Sequence, residues 1–274
     1  MTSFRVRYRR VATLLLVSLS LCASAASTAP AIDPSLPTLY LAGDSTVHVN
    51  TAGQRGWGDP IRDFFDTSRI NVVNRAIGGR SSRTFITDGR WDDILKSAKK
   101  GDFVIIQFGH NDGGALSGDN RERGTIRGTG DETKEVTLTL KPNEGKEETV
   151  HTYGWYLRKY IDDAKAKGVT PIICSPAAHV PRERVKESSS EDWDYVRFAE
   201  KVAKEEYVAF IPLNTLIRKR WEGMEPSEIK RKYFTPADGT HTNPDGARLN
   251  AECVVEGVRG LNDVALKDYL KSAS

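Results

Sequence analysis

Five short runs of apolar, β-favouring residues recur along the chain, at Thr38–Leu41, Asn71–Ile77, Phe103–Phe108, Pro171–Cys174 and Val208–Leu213. Val104-Ile105-Ile106 is apolar at consecutive positions, so both faces of such a strand need cover, as in a parallel sheet held between helices. The segments between the runs carry helical spacing. Trp91–Ala98 has apolar residues at 91, 94, 95 and 98, all on one face of a helix. Val150–Lys167 places Tyr153, Tyr156, Leu157, Tyr160 and Ile161 on one stripe and stops before Gly168. Trp57–Phe65 and Trp193–Tyr207 are further predicted helices. A last one runs from Asn243 to Val258, with Asn243 as N-cap and Pro244 at the first helical position. Alternation of strand and helix predicts a doubly wound α/β domain, whose functional sites lie at the carboxyl ends of the strands.

Ser117–Glu148 breaks the rhythm. It is polar, charged and Gly-rich, with a possible strand at Glu135–Leu140 and no helical stripe. It leaves the predicted sheet at the carboxyl edge, where a substrate-binding loop belongs, although a tolerated surface insertion has the same composition.

The first 25 residues stand apart. Arg5, Arg7, Arg9 and Arg10 precede an apolar run from Val11 to Leu21, and Ala23-Ser24-Ala25 has the small-x-small form of a cleavage site. This pattern predicts a secretory signal peptide over residues 1–25 and a single mature domain over 26–274. The leader holds four arginines and no acid, so the formal charge of +3 becomes −1 without it. A nearly neutral mature chain gives no electrostatic footprint for nucleic acid or an anionic membrane, and a secreted, extracellular monomer is expected. Outside the leader, Cys174 and Cys253 could pair or stay as buried thiols. No Asn-x-Ser/Thr sequon occurs. No His/Cys/Asp spacing suggests a metal and no glycine loop suggests a phosphate, so no cofactor is expected.

Each of the first three strands ends at a motif. Gly43-Asp44-Ser45-Thr46 follows the first, Gly78-Gly79-Arg80-Ser81 the second and Gly109-His110-Asn111-Asp112 the third. Ser45, exposed at a strand end, is a candidate nucleophile, though a serine there also suits a helix N-cap. Near the far end, Asp238 precedes His241 by three residues. Its carboxylate can reach Nδ1 of the imidazole and leave Nε2 to face a serine. The Ser45 and Gly79 backbone N–H groups and the Asn111 side-chain amide are candidate donors to an oxyanion. Gly79-Arg80-Ser81-Ser82-Arg83 lacks the last glycine of a G-x-S-x-G elbow, which argues against an α/β-hydrolase. Arg80 is a candidate contact for a uronic acid carboxylate, as are Arg83, Trp91, Arg121, Arg123 and Arg127.

Gly43-Asp44-Ser45, Gly79, Gly109-His110-Asn111-Asp112 and Asp238-x-x-His241, in this order, resemble the four blocks of the SGNH (GDSL-type) hydrolases. Gly43-Asp44-Ser45-Thr46, Ala76-Ile77-Gly78-Gly79-Arg80-Ser81 and Phe108-Gly109-His110-Asn111-Asp112 look like the rhamnogalacturonan acetylesterase group within it. The resemblance implies a three-layer α/β/α sandwich, with a flavodoxin-like parallel five-stranded sheet in the order 2-1-3-4-5. It implies Ser45 as nucleophile, His241 as base and Asp238 as its orienting acid, with Ser45, Gly79 and Asn111 forming the oxyanion hole. The implied substrate is an acetylated plant cell-wall polysaccharide, pectic rhamnogalacturonan first. Acetylxylan, another small ester or a lipid are alternatives on the same fold. A secreted carbohydrate-binding protein without activity is the alternative of a different class.

Overall fold

A computed structural model describes residues 32–185 and 193–272. The predicted signal peptide lies outside the described residues. Five parallel strands form the central sheet: β1 (Thr38–Gly43), β2 (Asn71–Asn74), β3 (Phe103–Gln107), β6 (Thr170–Cys174) and β7 (Ala209–Ile211). Their order is β2-β1-β3-β6-β7, which is 2-1-3-4-5 counted along this sheet alone. Two further strands, β4 (Thr133–Thr137) and β5 (Glu147–His151), pair antiparallel with each other outside it.

The period-two geometry of a strand explains the three layers. Leu39, Leu41, Phe103, Ile105 and Ile172 face one side of the sheet and share a core with Trp57, Ile61, Ile217, Ile229, Val254 and Val258. Tyr40, Ala42, Val104, Ile106 and Ile173 face the other and pack with Phe85, Trp91, Tyr153, Leu157, Tyr160 and Ala199. The first layer is built by α5 (Leu213–Arg220), α6 (Pro226–Tyr233), α7 (Pro244–Arg259) and a 3-10 turn over Pro60–Phe64. The second is built by α1 (Ser82–Thr87), α2 (Arg90–Ser97), α3 (Tyr153–Ala166) and α4 (Asp194–Glu205). Cys174 and Cys253 are free thiols buried in the first core. No described helix is long and apolar enough to cross a membrane.

Helix starts follow capping chemistry. Asn243 Oδ1 accepts from Gly246 N at 2.9 Å, with Pro244 at the first helical position as expected. Thr152 Oγ1 accepts from Trp155 N at 3.0 Å, which fixes the start of α3 and leaves Val150 and His151 to β5. The helix expected from Val150 therefore begins three residues later. The helix expected over Trp57–Phe65 is only the Pro60–Phe64 3-10 turn, because Trp57 is held toward β3 by a hydrogen bond from Nε1 to Gln107 Oε1 (2.6 Å). The short helix α1 was unexpected. A reciprocal capping box creates it: Ser81 N donates to Thr84 Oγ1 (2.8 Å) and Thr84 N to Ser81 Oγ (3.1 Å).

The polar insertion is a structured hairpin. Glu122 is buried within it, and its carboxylate accepts from Gly118 N, Thr139 N, Thr139 Oγ1 and Leu140 N at 2.7–3.1 Å. Burial works to raise its pKa, but these donors outweigh it and hold the carboxyl down to about 2. The insertion docks on α1 through Arg83, whose side chain is 1 % exposed. Arg83 donates to Glu148 Oε1 (2.7 Å), Leu116 O (2.9 Å) and Gly124 O (3.0 Å).

Candidate active site

The carboxyl end of β1 delivers Ser45. Register pairs Gly43 with Gln107 on β3, and a Cβ at position 43 would stand 2.5 Å from Val47 Cγ2 and 2.9 Å from Gln107 O. Only a glycine lets the chain turn this tightly out of the strand. The turn is then locked from below. Asp44 Oδ1 accepts from Thr46 N (2.9 Å) and Thr46 Oγ1 (2.8 Å). Gln107 Nε2 donates to Thr46 Oγ1 (2.6 Å) and Gln107 Oε1 accepts from Trp57 Nε1 (2.6 Å). Asp44, Thr46, Gln107 and Trp57 are all buried, so this chain of hydrogen bonds runs out of water. Burial pushes the Asp44 carboxyl up to about 6 against the pull of its Thr46 hydrogen bonds.

The loop between α6 and α7 delivers His241. It is braced by Arg55 N donating to Thr242 O (2.9 Å) and Val180 N donating to Gly239 O (2.9 Å). His241 Nε2 lies 2.9 Å from Ser45 Oγ, across 196 residues of sequence. His241 Nδ1 lies 2.8 Å from Asp238 Oδ2. The other carboxylate oxygen, Oδ1, accepts from Thr240 N (2.8 Å) and His241 N (2.7 Å). Burial works to raise the pKa of Asp238, but its hydrogen bonds from the His241 backbone and ring and from Thr240 prevail and hold the carboxyl below the ordinary range. An ionised carboxylate on Nδ1 keeps the imidazole proton there and leaves Nε2 to accept from the serine.

The Gly78-Gly79 turn packs on Ser45: a Cβ at position 78 would touch Ser45 Cβ at 3.5 Å. Gly79 is left-handed at φ +81°, which a side chain would strain. Neither the Ser45 nor the Gly79 backbone N–H donates to an acceptor among the described residues. Asn111 is buried, and its Nδ2 donates to Arg80 O at 2.8 Å. This ties the amide to the same turn and uses one of its two N–H donors, leaving the second for a ligand. Beneath, Asp112 accepts from Ser82 N (3.1 Å) and Ser82 Oγ and joins the end of β3 to α1. Burial, with added repulsion from Asp44, pushes the Asp112 carboxyl up to about 7.

The expected carboxylate contacts divide. Arg80 Nε pairs with Asp88 at 2.5 Å. Arg83 is a buried anchor of the insertion, and Trp91 is a core residue donating to Asp163 Oδ2 (2.9 Å). Arg127 pairs with Asp194. Arg123 does reach the site, with Nη1 donating to Gly79 O at 3.3 Å. His48, which has no obvious partner in the sequence, lies 2.7 Å from Asp59 through Nδ1. His110 stacks on His179 (ring centroids 4.9 Å apart) beside Trp193 (5.1 Å). Among the described residues, no group of three or more His, Cys, Asp or Glu is arranged to hold a metal ion.

The model of the GDSL-like Lipase/Acylhydrolase family matches residues 41–249, a span that takes in every motif of this site. The chain belongs to this family. A rhamnogalacturonan acetylesterase of Emericella nidulans is 34 % identical over 258 residues, covering 94 % of this chain and 95 % of its own. A probable rhamnogalacturonan acetylesterase of Bacillus subtilis is 33 % identical over 230 residues, covering 81 % of this chain and 93 % of its own. The crystal structure of the Bacillus subtilis protein YxiM superposes with a TM-score of 0.63 at 25 % identity, covering 82 % of this chain and 57 % of that one. This GDSL-like protein is a carboxylic ester hydrolase.

Proposed function

We propose that this protein is an exported carbohydrate esterase that removes acetyl groups from rhamnogalacturonan through a serine acyl-enzyme. The observation that carries the reading is the line from Asp238 Oδ2 through His241 to Ser45 Oγ, with steps of 2.8 and 2.9 Å, ending beside two backbone N–H groups that have no acceptor among the described residues. The names of the relatives from Emericella nidulans and Bacillus subtilis support the substrate. The arginine-rich, cleavable form of residues 1–25 supports export.

Ser45 Oγ attacks the acetyl carbonyl carbon while His241 Nε2 takes the hydroxyl proton. The carbonyl π pair moves to oxygen, and the oxyanion is held by the Ser45 and Gly79 N–H groups and the second Asn111 N–H. The Asp238 carboxylate stabilises the imidazolium this creates. On collapse the C–O bond to the sugar breaks, and His241 passes its proton to the departing sugar oxygen. Water, deprotonated by the same imidazole, then attacks the acetyl-Ser45 carbonyl carbon; the C–Oγ bond breaks, acetate leaves, and His241 returns the proton to Ser45 Oγ.

The test is acetate release from acetylated rhamnogalacturonan, acetylated xylan and p-nitrophenyl esters from acetate to octanoate, by the intact enzyme and by Ser45→Ala. Acetate from the pectic polymer that disappears in Ser45→Ala is the expected result. A preference for octanoate, or equal release by Ser45→Ala, overturns the reading.

A further inference from the structure

Helix α4 ends in a turn that glycine usually makes. Val208 N donates to Ala203 O (3.0 Å) and Tyr207 N to Lys204 O (3.3 Å), the paired bonds that close a helix through one left-handed residue. That residue is Tyr207, at φ +53°. A bulky side chain strains the left-handed region, which glycine occupies freely. No packing of the ring offsets the strain, because Tyr207 is 95 % exposed. A backbone outlier that the fold does not need points to a function.

Tyr207 lines a cavity of about 710 Å³ at the amino edge of the sheet, where β6 and β7 begin. That volume lies within the range of small-ligand sites. Ser45 and Asn111 follow the carboxyl ends of the parallel strands, so at least the length of a five-residue strand, roughly 15 Å, separates the cavity from the catalytic centre. Pro171, Leu261 and Val264 give it apolar walls, and Lys165, Asn262 and Asp263 add an ammonium, an amide and a carboxylate. Lys165 Nζ donates to Glu206 O (3.0 Å), so the same lysine fastens the turn that presents the ring.

This chemistry suits a pyranose chain. The C–H face of a sugar ring is apolar and weakly positive, and it stacks on the negative face of an aromatic ring. The hydroxyls at its rim need both donors and acceptors, which the ammonium, amide and carboxylate supply. A protein partner fits less well. A stable interface buries about 800 Å² on each side, and among the described residues Tyr207 is the one exposed large hydrophobic lining this cavity. Resting on the reading of the protein as a polysaccharide acetylesterase, we propose that Tyr207 and this cavity form a second glycan-binding site, remote from Ser45, that holds the polymer while the catalytic centre works on it. Holding the polymer raises its effective concentration at Ser45, a gain that a small soluble ester does not receive.

Tyr207→Gly and Tyr207→Phe, each combined with Ser45→Ala, test this in affinity gels cast with acetylated rhamnogalacturonan or acetylated xylan, without relying on turnover. Tyr207→Gly relieves the backbone and should raise Tm by about 2–4 °C. The same variant should bind the polymer about tenfold more weakly than Ser45→Ala alone. Tyr207→Phe keeps the ring and should bind within about twofold of that parent. With Ser45 in place, both variants should hydrolyse p-nitrophenyl acetate with unchanged kcat and KM. A purely structural Tyr207 would not combine higher stability with weaker polymer binding. Unchanged retention of Tyr207→Gly in both gels overturns the proposal, as does a loss in Tyr207→Phe equal to that in Tyr207→Gly. A dimer in sedimentation that Tyr207→Gly dissolves, with retention unchanged, assigns the surface to a second copy instead and overturns it too. If the intact enzyme releases no acetate from either polymer, the acetylesterase reading falls, and the retention of the Ser45→Ala variants still decides the glycan site.

Discussion

Gln107 offers a direct measure of how the nucleophile is held. It is fully buried, donates to Thr46 Oγ1 and accepts from Trp57 Nε1, each at 2.6 Å. Gln107→Leu keeps the volume but leaves the indole N–H with no acceptor and removes the donor to Thr46. A buried polar group left unpaired costs about 1–3 kcal/mol, so the substitution should destabilise by roughly 2–5 kcal/mol. Trp57→Phe removes the indole N–H and part of a large core side chain, so its own loss mixes packing with hydrogen bonding. The pair in one double-mutant cycle separates these. Packing lost at Trp57 cancels, because it is lost on both edges of the cycle, and the remaining coupling is the Trp57–Gln107 bond, expected near 1–2 kcal/mol. Urea unfolding of the four proteins gives the stabilities. Turnover of p-nitrophenyl acetate by Gln107→Leu reports the link to Ser45, and kcat should fall with little change in KM. Additive stabilities, within about 0.5 kcal/mol, would refute the reasoning, as would unchanged kcat in a measurably destabilised Gln107→Leu.

Asp238→Asn should retain the fold and lower kcat by about 10⁴, because the imidazole loses both its orienting acceptor and the charge that stabilises its protonated form; steady-state kinetics on p-nitrophenyl acetate checks it. Asn111→Ala should cost about 10²–10³ in kcat, as expected for one oxyanion donor, and a loss confined to KM would argue against that role. Asp112 makes stability depend on pH. Its carboxyl moves from 3.8 to about 7 on folding, so the native state holds the proton more tightly than the unfolded chain. Its contribution is complete below pH 4 and drains away as pH rises to 7, by on the order of 4 kcal/mol. Asp112→Asn should flatten that decline when unfolding is followed in urea from pH 4 to 8, and an unchanged slope would contradict the assignment.

The sheet was legible because burial on both faces leaves an unbroken apolar run, as in Val104-Ile105-Ile106. The order of the strands came with the family resemblance. The ends of the first three strands and the Asp238-x-x-His241 spacing were legible because special backbone and short-range acid–imidazole contacts leave local marks. What escaped has non-local causes. Helices α5 and α6 each carry three cationic residues in the last turn and bury few side chains, Leu213, Asn214, Ile217 and Ile229, too few for a stripe. Helix α1 rests on a capping box of Ser81 and Thr84, where Thr stands in place of the usual Glu or Gln. Gln107 reads as one polar residue closing an apolar strand; its role exists only once Thr46 and Trp57 arrive from elsewhere. Arg83 and Arg123 have the same chemistry in sequence, yet one is an anchor of the insertion and the other reaches the site. Partners brought in from positions 79, 116, 124 and 148 make that difference.

The separation of 196 positions between Ser45 and His241 has a consequence for how the enzyme comes into being. Strand β1 emerges during synthesis well before the histidine loop, which sits just before α7. Nucleophile and base therefore meet only when the end of the domain closes over its beginning, a contact of very high sequence separation and correspondingly late formation. A partly made or partly refolded chain can own its serine turn and still cleave nothing. Recovery of esterase activity on refolding is thus a clock for the final docking step, and it should lag behind the return of buried tryptophan fluorescence.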